Sequence, residues 1–308
     1  MTIAFVHPQK SFLPEINAYI NFFSAYGWNC IIIDPSKREY IKADVEWRFM
    51  GDYSRTKRMA HLLIHEYSSA STPPFRKLKD YFKSCSGENP DFRIFLNSWV
   101  RKQFAFIIKR PYGFRDMGIY PATEKWSNGE KEFDFIYIGN LDRNRRPEKI
   151  LHPFAAGSMR NHSILLLGQK TEWLQRKFIG HSNIFFKGPV KNQEVHEWLR
   201  KSAYAINYVP DYSPYIYQTS TKFLEYANLG MPIISSDYTW IREFQKSCGG
   251  NYFFIDKDFE NFSMNAIQNF SFSRPDLSLW TWDQQIRHSG VLEFLKSKLP
   301  GINFADDF

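Results

Sequence analysis

Short apolar runs that stop at a glycine, separated by stretches of helical spacing, constrain this chain most. Phe133–Ile138 (FDFIYI) closes on Gly139, Ile164–Leu167 (ILLL) on Gly168, and Ile184–Phe186 (IFF) on Gly188-Pro189. Gln193–Lys201 and Ser220–Leu229 read as helices, Ala203–Tyr208 and Pro232–Ser235 as strands. The same rhythm runs earlier. Ile3–Val6, Cys30–Ile33, Leu62–Ile64 and Arg93–Leu96 are strand-like, and Glu15–Ala25 is a helix ended by Gly27. Near-continuous apolar strands alternating with helices predict an α/β fold with parallel, doubly wound sheets. Pro111–Asn128, with two glycines and two prolines, breaks the rhythm and reads as a linker. Two Rossmann-like domains facing a cleft are therefore expected, the first over residues 1–125.

Composition narrows the setting. Of 308 residues, 43% are hydrophobic and 18% aromatic, which rules out disorder as the main state and suggests aromatic-lined surfaces besides the core. The three cysteines, Cys30, Cys85 and Cys248, make no disulfide framework and no CxxC site, which fits a reducing, cytoplasmic compartment. No apolar run reaches the roughly 18 residues of a membrane span, and MTIAFV reads as a buried strand, not a signal peptide. The net charge is +8, and it is uneven: residues 1–125 hold 19 Lys/Arg against 12 Asp/Glu, and residues 126–308 hold 21 against 20. A basic half attracts phosphorylated substrates or anionic lipid. Without a basic run, an aromatic nucleic-acid box or zinc spacing, nucleic acid is disfavoured as a partner. Phe75–Lys83 (FRKLKDYFK) reads as an amphipathic helix, either half-buried with a wet face or lying on a membrane surface.

The strongest local signal is Ser220–Asp237, STKFLEYANLGMPIISSD. A helix begins there among hydroxyls, so the N–H groups of Gln218–Thr221 and the helix dipole favour an anion. Lys222 adds positive charge. Glu225, three residues on and on nearly the same face, suits a bidentate grip on a ribose diol. Phosphate and ribose recognition together mean a nucleotide.

KFLEYANLGMPIISS resembles the segment of GT-B glycosyltransferases, family 4 in particular, that reads Lys, two apolar residues, Glu, and later Gly-x-Pro before a strand. FDFIYIGNLDRNRRPEKIL resembles the opening of that family's C-terminal domain. SILLLGQKTEW and NIFFKGPVKNQEVHEWLRKSAYAINYVP resemble its next two stretches, LWTWDQQIRH its C-terminal helix, and IIKRPYGF its interdomain segment. The likeness covers residues 133–290 best. It implies a nucleotide-sugar-binding domain over 126–275 and a helical segment over 276–308 that crosses back to the first domain. It also implies that Glu225 holds the donor ribose, that Thr219, Ser220, Thr221 and Lys222 lie near the diphosphate, that Arg145 stands at the family's phosphate-binding Lys, and that Gly139 opens the loop for the diphosphate. Tyr217 stands where the family has a first Glu, and Asn140 where it has an Arg; Tyr217 is then a candidate sugar contact.

On the acceptor side His65 and Glu66 follow the Leu62–Ile64 run and are the candidate catalytic pair, as base or as hydroxyl holder. The resemblance implies transfer of a sugar from a nucleotide-sugar to a saccharide or lipid-diphosphate-linked acceptor, with retention, in bacterial polysaccharide or lipopolysaccharide synthesis at the inner face of the membrane. It implies no metal ion and no resident cofactor, the donor being a substrate; no DxD occurs in the chain. An inverting GT-B transferase, an epimerase and a non-catalytic nucleotide- or carbohydrate-binding protein are the alternatives.

Overall fold

The computed structural model describes residues 1–7, 13–35, 42–49, 57–85, 88–169, 171–302 and 304. Lys170 and the last residues of the expected C-terminal segment, 303 and 305–308, lie outside them. The chain divides into two compact units: Met1–Tyr120 with Ser278–Phe308, and Pro121–Leu277.

Unit 1 runs β1 (Thr2–Val6), α1 (Pro14–Ala25), β2 (Asn29–Ile33), β3 (Val45–Phe49), β4 (Leu62–Tyr67), α2 (Arg76–Cys85), β5 (Phe92–Phe95), α3 (Ser98–Lys102) and β6 (Tyr112–Phe114). Its six-stranded sheet has the order β2-β1-β3-β4-β5-β6, parallel throughout. α1 starts with Pro14 in its first turn, as a helix prefers, and buries Ile16, Tyr19, Phe22 and Phe23 on one face. Tyr19 and Phe23 pack on Trp47 of β3, whose ring is fully buried. Removing a ring of that size from a core costs about 3–5 kcal/mol.

Two differences from the sequence reading have local causes. β3 (VEWRF) was not expected, because Glu46 and Arg48 interrupt its apolar run. Both are buried, and the Arg48 Nε donates to Glu46 at 2.8 Å, so each charge satisfies the other inside the sheet. The expected linker also begins inside unit 1, since Tyr112–Phe114 is strand β6, pairing with β5.

Unit 2 runs β7 (Phe133–Ile138), α4 (Glu148–Ala156), β8 (Ile164–Leu167), α5 (Glu172–Lys177), β9 (Ile184–Gly188), α6 (Asn192–Arg200), β10 (Ser202–Asn207), α7 (Thr221–Leu229), β11 (Ile233–Ser236), α8 (Thr239–Cys248), β12 (Gly249–Asn251), β13 (Phe253–Ile255), α9 (Met264–Gln268) and β14 (Ser273–Pro275). The main sheet has the order β13-β11-β10-β7-β8-β9, again parallel, and β12 pairs with β14 as an antiparallel ribbon. From β7 the chain builds outward through β8 and β9, then returns to lay β10 on the other side of β7. That reversal leaves a crevice between the carboxyl ends of β7 and β10, where open α/β sheets bind ligands.

The last helices, α10 (Trp282–Arg287) and α11 (Val291–Lys298), return to unit 1. Trp282, Ile286, Val291 and Leu295 are buried in the same core as Trp47 and Phe23.

Candidate nucleotide site at the β7–β10 switch point

α7 is anchored at that crevice from both sides. The Tyr226 hydroxyl accepts from the Ile138 N–H of β7 at 2.9 Å and donates to the Ile206 carbonyl of β10 at 3.4 Å. Ser220 caps the helix: its Oγ accepts from Phe223 N–H at 3.4 Å and donates to the buried Asn207 side chain at 2.7 Å. Asn207 in turn donates to Ser235 at 2.9 Å and Tyr238 at 3.2 Å. At the other end Gly230 takes the left-handed conformation of a helix stop. The N–H groups of Thr221 and Lys222 therefore sit in a first turn held at the mouth of the crevice, where a helix leaves its donors without intrahelical partners. The expectation of a free N–H does not hold for Gln218, which donates to Tyr215 O at 3.3 Å.

Gly139, Arg145, Thr219, Ser220, Thr221 and Lys222 line one cavity of about 170 Å³ at this point. That is below the usual size of a small-molecule site, so it suits a phosphate-sized group with the rest of its ligand lying outside. Gly139 ends β7 at φ 132°, and Gly168, at the end of β8, lies against it: a Cβ on Gly168 would stand 1.8 Å from the Gly139 carbonyl oxygen. Only glycine permits that approach of two strand ends.

The cations are held by aromatic rings. Arg145 lies over the Tyr215 ring at 5.0 Å and Arg146 over Tyr212 at 5.6 Å, while the Tyr212 hydroxyl bonds to the Asn144 carbonyl. The tyrosines of PDYSPYIY thus position the RNRR loop. Tyr217 ends a short 3-10 turn, Tyr215–Tyr217, and does not line the cavity.

Lys222 is buried, with its ammonium 2.7 Å from the Tyr208 carbonyl oxygen, 3.1 Å from the Tyr137 hydroxyl and over the Tyr137 ring at 4.2 Å. Burial, and next the charge of Arg145, hold its pKa well below the ordinary lysine value. Glu225 lies one turn along α7. It is half-buried, and no hydrogen bond or ion pair reaches its carboxylate among the described residues. Burial pushes its pKa up to about 7.

Another cavity of unit 2, about 660 Å³, lies beyond the ends of β10, β11 and β13. Its acids already have partners: Asp237 pairs with Arg242 at 2.6 Å and Asp211 with Lys257 at 3.0 Å, and Asp256 accepts from the Glu260 and Asn261 N–H groups. It contains none of the residues expected at the donor site.

In unit 1 the expected strand Leu62–Ile64 continues to Tyr67, so His65 and Glu66 lie inside β4 instead of beyond it. Neighbouring strand residues face opposite sides of a sheet, and these two do. Glu66 is fully buried. It pairs with Arg115 and accepts from the Trp47 indole at 2.8 Å. Arg115 also reaches Glu15 at 3.4 Å and the Tyr19 hydroxyl at 3.2 Å. Burial raises the Glu66 pKa, Arg115 opposes that, and Glu15 adds to it. This is a core charge cluster that the sequence reading missed, because Glu15, Glu66 and Arg115 come from three distant segments. His65 lies 3.4 Å from the Tyr67 hydroxyl and lines a separate cavity of about 150 Å³ with Lys83 and Arg93. Asn89 and Pro90, which precede β5, also line that cavity.

Among the described residues no group of three or more His, Cys, Asp or Glu could hold a metal ion. No family model and no curated protein matches the chain in sequence. Solved structures do match. AviGT4, a glycosyltransferase involved in avilamycin A biosynthesis, superposes with a TM-score of 0.66 at 12% identity over 96% of this chain and 97% of its own. HepE from Anabaena, in complex with UDP-glucose, gives 0.63 at 10% over 96% and 100%. Sucrose-phosphate synthase from Thermosynechococcus elongatus gives 0.63 at 11% over 96% and 97%. The two parallel six-stranded sheets are those of the GT-B glycosyltransferase fold.

Proposed function

We propose that the protein is a glycosyltransferase that takes its nucleotide-sugar donor at the end of α7. The observation that carries this is the half-buried, unpartnered Glu225 one turn from a cavity lined by Lys222, Arg145 and the first N–H groups of that helix. A carboxylate left without a partner beside a cationic cavity matches a ligand with a diol next to a diphosphate.

The chemistry follows from where charge develops. Breaking the bond between sugar and phosphate leaves a nucleoside diphosphate with growing negative charge. The α7 N-terminus and Arg145 stabilise it, and donors fixed in advance act most strongly on charge that appears during the reaction. Lys222 lines the same cavity, and an anion there favours its charged form. Glu66 is engaged with Arg115 and is not the base in this reading; the departing diphosphate takes the acceptor's proton, a route that gives retention at the anomeric carbon. The acceptor is a saccharide or a lipid-diphosphate-linked saccharide, used at the inner face of a membrane in surface polysaccharide synthesis; the surplus of positive charge in residues 1–125 supports this. Tyr217 is the proposed sugar contact.

A thermal-shift screen with nucleoside diphosphates tests the reading. A ligand at a hundred times its Kd stabilises the fold by about 2.7 kcal/mol. One diphosphate should do so, and its sugar conjugate should be turned over, with slow loss of sugar to water. Absence of a shift with every nucleoside diphosphate would remove the assignment, and binding without turnover would favour a non-catalytic binder.

A further inference from the structure

α2 is built inside out. The side it turns to the protein carries Arg76, Asp80, Lys83 and Ser84. Asp80 is buried and accepts from the Ser71 N–H at 2.9 Å, Arg76 donates to Gln103 at 3.0 Å, and the Ser84 hydroxyl donates to the Asp80 carbonyl oxygen at 2.8 Å. Its outward side carries Leu78, Tyr81 and Phe82, exposed by 52%, 53% and 60%. A surface helix ordinarily does the reverse.

The exposed stripe continues beyond the helix. Phe75 precedes it at φ 58°, a conformation bulky residues avoid, and is 76% exposed. Next to the end of α2 lies the segment 105–108, joined to it by a hydrogen bond from Ala105 N–H to Ser84 Oγ at 3.0 Å. There Ile107 is 84% exposed. Lys77 and Lys79 flank the stripe on α2, and Lys109 and Arg110 follow Ile107, all exposed. Between residues 70 and 85 the only acid is the buried Asp80, and between 98 and 115 there is none.

We propose that this face of unit 1 docks on an anionic lipid surface, with Phe75, Leu78, Phe82 and Ile107 entering the interface and the flanking cations meeting lipid phosphates. Exposed apolar side chains fringed by cations without acids are what such a surface selects. The charge complementarity favours lipid over a second copy of this chain, whose identical basic patch would repel. The docking agrees with a lipid-linked acceptor but does not rest on the donor site, because vesicle binding needs no nucleotide.

The test is co-sedimentation of the full chain with vesicles of phosphatidylcholine alone and of phosphatidylcholine mixed with phosphatidylglycerol. Binding to the mixed vesicles is expected, and it should weaken with added salt. Leu78→Glu with Phe82→Glu and Ile107→Glu should lower the partition coefficient by about a thousandfold or more, since each loses the burial of a large apolar side chain and adds a negative charge. Lys77→Ala with Lys79→Ala should lower it by roughly thirtyfold, at about 1 kcal/mol per cation near the surface. Both variants should keep the wild-type melting temperature and nucleoside diphosphate shift. The proposal is overturned if the wild type ignores anionic vesicles, if the apolar variant binds as well as the wild type, or if that variant turns a lipid-free dimer into a monomer.

Discussion

Replacing Glu225 by Gln should make the protein more stable and less able to hold a nucleotide. Burial raises this carboxyl from an ordinary 4.5 to about 7. Between those values the folded chain keeps a proton that the unfolded chain has released. The contribution of this group to stability therefore falls as pH rises through that window and is flat above it. At about 1.36 kcal/mol per pH unit the full cost above pH 7 is about 3 kcal/mol. Glu225 retains partial access to solvent, which screens the charge, so about half of that is a better figure. Gln keeps the shape and carries no charge. Thermal unfolding at pH 8 should show the variant more stable by about 1.5 kcal/mol, or a few degrees in Tm, with the difference vanishing near pH 4.5. Comparing the two proteins at each pH cancels every other titrating group. The same change should weaken nucleoside diphosphate binding by at least about tenfold, the worth of a charge-assisted hydrogen bond. A variant less stable at pH 8 would mean that the carboxylate has a native partner, and full retention of binding would detach it from the ribose; either result refutes the reasoning.

Other expectations follow from the same geometry. Burial and the charge of Arg145 lower the Lys222 pKa and an anion beside it would raise it, so a diphosphate should bind with proton uptake; calorimetry in buffers of different ionisation enthalpy should show uptake in the wild type and less in Lys222→Met, and equal uptake would contradict it. Arg115→Met strands Glu66 and Glu15 in the core of unit 1, so it should cost about 3–5 kcal/mol in urea unfolding, whereas a loss under about 1 kcal/mol would show that the cluster is not charged. Gly168→Ala puts a methyl group against the Gly139 carbonyl; it should cost about 1–3 kcal/mol and weaken diphosphate binding, and an unaltered protein would show that the two strand ends can part freely.

Much of the architecture is legible along the chain because the signals are local. FDFIYI-Gly139 and ILLL-Gly168 are read correctly from apolar runs and turn residues, since strands buried on both faces of a parallel sheet need both. β3 is not, because its buried Glu46–Arg48 pair makes an interior strand look like a surface one. The α7 segment is equally legible. Its cap, cation and carboxylate lie within six residues, Ser220 to Glu225, so helical geometry alone places them together.

Whatever depends on partners far apart in the chain lay beyond such reading. The sheet order, which reverses at β7 and β10, decides that Gly139 and Arg145 meet the start of α7. Packing decides that Glu66 serves a core cluster with Arg115 and that Tyr212 and Tyr215 hold the arginine loop. The pattern of α2 shows an apolar side and a polar side, but only its neighbours decide which one faces solvent. Periodicity specifies the faces of an element, whereas the direction each face takes is set by the long-range contacts that fill the other side.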